Sequence, residues 1–250
     1  MLSQLHAHSR DSFIIFKEEG HEYTLIGIDT KPTSVTTLIH KYFTKFDNDR
    51  VITKMMASTK WKDSKYFGMT SEQIKQQWKD KSNEAAEAGT FMHKSIENYL
   101  NNIVVVNDTV EYQMFLHFWA NVQQYYLNWE IYRTEWLIYD NSGKVSGSID
   151  CVLRNKIDPK YIMILDWKRS KEIKVSNHFD KGTGPFANLD DCNFVHYSLQ
   201  LNIYRHILET CYDKKVTYMM LIVMHPDNKD YQCVSIERMA IDTIWSALTV

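Results

Sequence analysis

The chain has 250 residues, 44% of them hydrophobic, which is enough to bury the core of one large domain or of one domain with an appended lobe. Its 29 Lys and Arg against 31 Asp and Glu give a formal charge of −2, so no whole-molecule basic field is there to hold nucleic acid. Cys151, Cys192, Cys211 and Cys233 stand far apart without a C-x-x-C pair, which argues against a disulfide framework or a cysteine zinc site, and no apolar run approaches the roughly 18 residues of a membrane span.

The opening MLSQLHAHSRDSF lacks the apolar core of a secretion signal, so an intracellular protein, cytoplasmic or nuclear, with no membrane partner is expected. Phe13–Phe16 and Glu22–Gly27 read as two short strands separated by Glu-Glu-Gly. Ser34 can cap a helix that carries Val35, Leu38, Ile39, Tyr42 and Phe43 at helical spacing. A second helix is expected over Asp49–Lys60. Thr70 and Gln73 suggest a capping box for a third, through Lys79. Between Lys41 and Lys81, ten Lys and Arg meet five Asp and Glu, either a local basic face or an ordinary solvated helical surface.

The next helix, Asn83–Leu100, places Ala85, Gly89, Met92, Ile96 and Leu100 on one face. His93 sits on that face beside Gly89, whose missing side chain allows a close approach. Glu97, one turn further, can either support His93 or pair with a surface lysine. A long amphipathic helix over Asp108–Trp129 carries Phe115, Phe118, Val122, Tyr125 and Trp129 as its stripe.

The hydrophobic period then changes from helical to two. Tyr132–Tyr139, Val145–Leu153 and Tyr161–Trp167 read as strands divided by turns at Asn141-Ser142-Gly143 and Asp158-Pro159. The polar stretch Lys171–Asn188 is expected to be a mobile loop, followed by a helix over Asp190–Cys211. The unbroken apolar run Val216–Met224 suits a central strand buried on both sides, and Tyr231–Ile236 reads as a last strand. The expected class is α/β, a central mixed β-sheet flanked by helices. Residues 1–82 form an N-terminal hairpin and mostly helical lobe in this reading, and residues 83–250 the core.

Two lone aspartates close apolar strands, Asp150 and Asp166, and Lys168 stands two places after the second. On antiparallel neighbours the two carboxylates can meet, where they repel unless a cation lies between them. Carboxylates, the Trp167 carbonyl and waters are what Mg²⁺ or Mn²⁺ prefers. Lys168 shares the strand face of Asp166 and can orient or deprotonate a water, or balance charge on a phosphate. Arg169 points to the other face and is expected to touch DNA. These parts suit phosphodiester hydrolysis.

Taken in order, His93, Glu135, Gly147-Ser148-Ile149-Asp150, Asp166-Trp167-Lys168 and Gln200-x-x-x-Tyr204 resemble the PD-(D/E)xK nuclease superfamily. They are closest to its RecB-like exonuclease branch, and the resemblance spans roughly Gly89–Ile236. It implies a restriction-endonuclease-like core and a metal-dependent deoxyribonuclease acting on single-stranded DNA or free ends. It also implies His93, Asp150 and Asp166 as metal ligands and Lys168 at the attacking water. Glu135 would be the acidic residue of the preceding strand, with Gln200 and Tyr204 supporting the site. A structure-specific endonuclease and a non-catalytic nucleic-acid-binding subunit are the alternatives on the same fold. The four cysteines lack the spacing of the iron–sulfur cluster that some relatives carry, so no cluster is expected. No Walker A loop is present, so no ATP is expected either. Lys41, Lys45, Lys54, Lys60, Lys62 and Lys65 could contact phosphates in the N-terminal lobe, with Trp61 or Tyr66 stacking on a base, against an ordinary helical surface with core aromatics.

Overall fold

Local signals start and stop most of the elements. The computed structural model describes residues 1–29 and 31–249; Thr30 and Val250 lie outside the described residues. A single helical turn, α1 (Leu2–Leu5), precedes a hairpin of β1 (Ile14–Lys17) and β2 (Glu22–Leu25), which pairs Ile14 with Leu25. The two-residue strand β3 (Thr33–Ser34) leads straight into α2 (Val35–His40). Ser34 Oγ accepts the Thr37 backbone N–H there, a cap worth about 1 kcal/mol. Asp47 caps α3 (Asn48–Met56) through the Arg50 N–H. This helix stops short of Lys60, where Ser58 Oγ takes the Lys60 N–H into a local turn that competes with helix.

The Thr70–Gln73 capping box forms, each side chain bonded to the other's backbone N–H. The helix it opens does not end near Lys79. It continues as α4 (Ser71–Leu100), one helix where two were expected, because no Gly or Pro interrupts residues 80–88. Thr109 caps α5 (Val110–Tyr125), and Trp129, expected at its end, instead begins β4 (Trp129–Tyr139). There follow β5 (Val145–Asn155), β6 (Tyr161–Arg169), α6 (Asn193–Cys211), β7 (Lys215–Met224), β8 (Gln232–Ser235) and α7 (Ile241–Leu248).

Strands β3 to β8 form one mixed sheet. β5 pairs antiparallel with β4 and β6, β6 parallel with β7, and β7 antiparallel with β8. Ser146 of β5 pairs with Ser34 of β3 and also with Tyr139 of β4. A strand residue has two edges, so β3 lies on the edge of β5 that β6 takes further along. The ladder to β6 begins only at Cys151, opposite Leu165, which leaves residues 147–150 between the two partners.

Side chains of β6 and β7 alternate between two cores. Ile162, Ile164, Leu221 and Val223 join residues of α2, α6 and α7. Met163, Leu165, Trp167, Ile222 and Met224 join α4 and α5. The fold is therefore mixed α/β, a central mixed sheet with helices on both faces. The stretch Lys171–Asn188, expected to be a mobile loop, is mostly exposed but has anchors: Phe186 is buried against Tyr42 and Phe43, and Asn177 Nδ2 donates to the Asp191 carbonyl.

Packing divides the chain into two compact units, Met1–Thr44 with Met92–Val250, and Lys45–Phe91. The division falls inside α4, and the hairpin, β3 and α2 belong with the sheet. The smaller unit has its own core of Ile52, Tyr66 and Ile74, ringed by Met55, Trp61, Met69 and Trp78. Tyr66 is buried there and its hydroxyl accepts from Trp78 Nε1 at 2.8 Å, so it is not available to stack on a base; Trp61 is half-buried in the same cluster. No helix among the described residues is long and apolar enough to cross a membrane.

Candidate active site

The site lies at the gap between β5 and β6. One step past the Cys151–Leu165 pair, the antiparallel register sets Asp150 opposite Asp166. Between the pairs Thr134–Cys151 and Trp136–Ile149, the β4 register likewise sets Glu135 opposite Asp150. Three carboxylates thus stand in one row across three neighbouring strands. Asp150 also supplies the missing rung, since its Oδ2 accepts the Trp167 backbone N–H at 2.8 Å.

Glu135 reaches this row through a backbone exception. Its φ of 43° is left-handed, a conformation that costs a non-glycine residue about 1–3 kcal/mol and concentrates at functional sites. Ser148 Oγ donates to Glu135 Oε2 at 3.0 Å and fixes the carboxylate. From α4, anchored by the buried Met92 and Ile96, comes His93. Its Nε2 lies 3.0 Å from the Trp167 carbonyl oxygen. Donating there leaves Nδ1 with its lone pair 3.6 Å from Asp150 Oδ2. One ligand atom each from His93, Glu135 and Asp150 lies within 4.8 Å of the others.

One of the two alternatives for Glu97 is found, and the close approach expected at Gly89 is not. Glu97 takes the Lys94 ammonium at 2.7 Å, the surface pairing, and makes no bond to His93. Gly89 provides no close approach, since a Cβ there would meet nothing within 4 Å.

Asp166 stands outside the trio with His93. It is buried, and its Oδ2 lies 2.6 Å from Lys168 Nζ in an orientation that makes no hydrogen bond. Lys168 Nζ also donates to Gln200 Oε1 at 3.3 Å, and Gln200 Nε2 donates to the Tyr204 hydroxyl at 3.1 Å. Tyr204 fits only because residue 147 is glycine: a Cβ there would stand 2.5 Å from Tyr204 Cε1. On the other face of β6, Arg169 Nε meets Glu111 Oε1 of α5 at 2.6 Å. Its guanidinium is therefore held through Nε by a buried carboxylate, a role within the fold that the sequence reading did not assign.

Burial and the neighbouring Asp150 push the Glu135 carboxyl up to about 8. Burial pushes Asp166 up to about 6, against the pull of Lys168 and with a further push from Asp150. Burial alone would lower Lys168, but Asp166 and Asp150 outweigh it and hold the ammonium above the ordinary lysine value. Collecting these carboxylates is costly, and a bound cation would remove the cost. An imidazole, carboxylates and a backbone carbonyl form a donor set suited to a hard or borderline divalent ion.

Three neighbours escape sequence reasoning. Ser148 holds Glu135 as described. The Tyr197 ring lies 4.6 Å from Lys168 Nζ. Tyr23 of the hairpin is buried, its phenol pushed up to about 12 by burial and by Glu135 and Asp150. The available signals are spacings: Ser148 stands two before Asp150 on a strand, and Tyr197 three before Gln200 on a helix.

The chain matches no protein-family model and no curated protein. Among solved structures it is similar to that of SSO0001, with 14% identity over 88% of this chain and 74% of that one and a TM-score of 0.37. It is also similar to a candidate exonuclease from Eubacterium rectale, with 10% identity over 64% of this chain and 63% of that one and a TM-score of 0.40. Likenesses this distant carry no argument about chemistry, which rests on the geometry above.

Proposed function

We propose that the protein is a metal-dependent deoxyribonuclease of the PD-(D/E)xK type, hydrolysing phosphodiester bonds in DNA that is single-stranded or has free ends. The observation that supports this reading is the row Glu135, Asp150 and Asp166, flanked by an imidazole on one side and an ammonium on the other. The donor set fits Mg²⁺ or Mn²⁺, and Asp166 Oδ2, buried with the Lys168 ammonium 2.6 Å away but with no aligned hydrogen bond, keeps its lone pairs unused. His93, Asp150 and Asp166 would hold the ion, with Glu135 beside them and the second lone pair of the Trp167 carbonyl available. When bound, such an ion stabilises negative charge on phosphoryl oxygens and makes water a stronger nucleophile.

The chain's own residues do the rest. Lys168, fixed by Asp166 and Gln200, presents an N–H to the attacking water or to a phosphate oxygen. Gln200 is itself fixed by Tyr204, so α6 sets the position of the ammonium. His93 is oriented by the Trp167 carbonyl, which selects the tautomer facing the carboxylates.

End-labelled linear DNA supplied with Mn²⁺ should be degraded, and closed circular DNA should survive. Asp150→Ala and Asp166→Ala should abolish cleavage while the proteins still fold. Wild-type rates from either variant, in metal-stripped buffer restored with Mg²⁺, would overturn the assignment.

A further inference from the structure

We propose that Tyr197 is a positioning residue for Lys168, its ring a third contact on the ammonium beside Asp166 and Gln200. The inference rests on the reading of Lys168 as a working residue of the nuclease site.

A lysine ammonium is compact, carries three N–H groups and hangs on a flexible four-carbon stem. Here two oxygens hold it, Asp166 Oδ2 at 2.6 Å and Gln200 Oε1 at 3.3 Å. Two contacts leave the nitrogen free to swing about the line that joins them. The face of Tyr197, with its centroid 4.6 Å from Nζ, supplies a third contact inside the roughly 6 Å reach of a cation–π attraction. A ring face attracts the charge without binding a metal ion or taking a proton, so it steadies Lys168 without competing for what the carboxylates must hold. One helix delivers the whole arrangement. Tyr197, Gln200 and Tyr204 follow at spacings of three and four on α6, and so share the face turned to β6.

Tyr197 is also half-buried against the core beneath α6. Packing alone would be satisfied by any apolar side chain of similar bulk, whereas positioning requires a ring. Tyr197→Phe and Tyr197→Leu in the full chain separate the two. Tyr197→Leu should lower kcat about tenfold, with KM for DNA changed less than about twofold and the melting temperature within about 2 °C of wild type. Tyr197→Phe should keep kcat near wild type.

A second readout does not depend on activity. In isotope-labelled protein, the ε-methylene protons of Lys168 should be shifted upfield by the ring in wild type and Tyr197→Phe, and the shift should vanish in Tyr197→Leu. Absence of the shift in wild type overturns the inference, as does a Tyr197→Phe enzyme as slow as Tyr197→Leu. Lys168→Ala supplies the reference. An inactive Lys168→Ala beside a full-rate Tyr197→Leu overturns the positioning role alone, and a full-rate Lys168→Ala overturns the nuclease reading along with it.

Discussion

Replacing Gly147 by alanine tests the contact through which α6 meets β5. The added Cβ would stand 2.5 Å from Tyr204 Cε1 and 3.2 Å from both Cζ and the hydroxyl oxygen. Ordinary carbon contacts lie at about 3.5–4.0 Å, so ring and strand must separate by about 1 Å. Tyr204 is only 4% exposed, and its hydroxyl is bonded to Gln200, so the ring cannot swing aside into solvent. Overpacking of this kind costs about 1–3 kcal/mol. For a chain of this size each kcal/mol lowers the melting temperature by about 2–4 °C, so a fall of about 2–12 °C is expected. Tyr204→Leu removes the ring at a cost of its own, but it should spare the double variant the clash. Urea unfolding of Gly147→Ala, Tyr204→Leu and the pair should therefore show a favourable coupling of about 1–3 kcal/mol. Additive effects, within about 0.5 kcal/mol, would refute the close approach and with it the argument that glycine is required here. Cleavage should slow in Gly147→Ala as well, because displacing Tyr204 displaces Gln200 and so Lys168.

The folded protein keeps the Glu135 proton up to about pH 8, whereas an unfolded glutamate loses it near 4.5, so the metal-free fold should lose stability as pH rises through that window. Glu135→Gln should flatten that loss and be more stable than wild type at pH 8 by roughly 1–4 kcal/mol, measured by urea unfolding at both ends of the window. Ion binding must displace protons from Glu135 and Asp166, so calorimetric Mn²⁺ affinity should rise with pH between about 6 and 8, with protons released to the buffer; an affinity independent of pH would count against this ligand set. Arg169→Ala leaves Glu111 buried without its partner and should cost about 3–5 kcal/mol, most of it recovered in the double variant with Glu111→Leu. If Arg169→Ala instead lowers only DNA affinity and leaves the melting curve unchanged, Arg169 belongs to the DNA surface after all. Lys168→Arg should be nearly as inactive as Lys168→Ala, because a planar guanidinium does not fit where Asp166, Gln200 and Tyr197 enclose a point charge.

The parts of the fold readable from sequence are those in which one residue's surroundings depend on its near neighbours. The two-sided burial of β7 over Leu221–Met224 shows in its apolar run, although Thr217 and Tyr218 near its start are exposed, and the Ser34 and Thr70 caps show in residues three apart. Asp166 and Lys168 share a face because strand side chains alternate. Other features depend on partners far along the chain. β3 has two residues and exists only because Val145 and Ser146 offer an edge. Arg169 is claimed by Glu111 of α5, and no spacing announces the pairing. The overrun of α5 toward Trp129 has a different cause: the helical phase of the apolar residues persists by coincidence beyond Tyr126, where the backbone has already left the helix. At Glu135 the left-handed backbone brings a carboxylate to the row, and glutamate carries no sign of such a preference.

The parallel pairing of β6 with β7 bears on how the chain must be made. Asp166 lies beside Leu221, and α6 intervenes between the two strands. While the polypeptide is being synthesised, β6 waits with one apolar edge bare until Lys215–Met224 has emerged. Parallel pairing across an intervening helix forms late, and an unpaired apolar edge recruits other chains. A chain ended after Cys211 would contain His93, Glu135, Asp150, Asp166, Lys168, Gln200 and Tyr204, yet it should aggregate when expressed. The shortest piece able to reach solution folded is therefore set by strand partnership, well beyond the last reactive side chain.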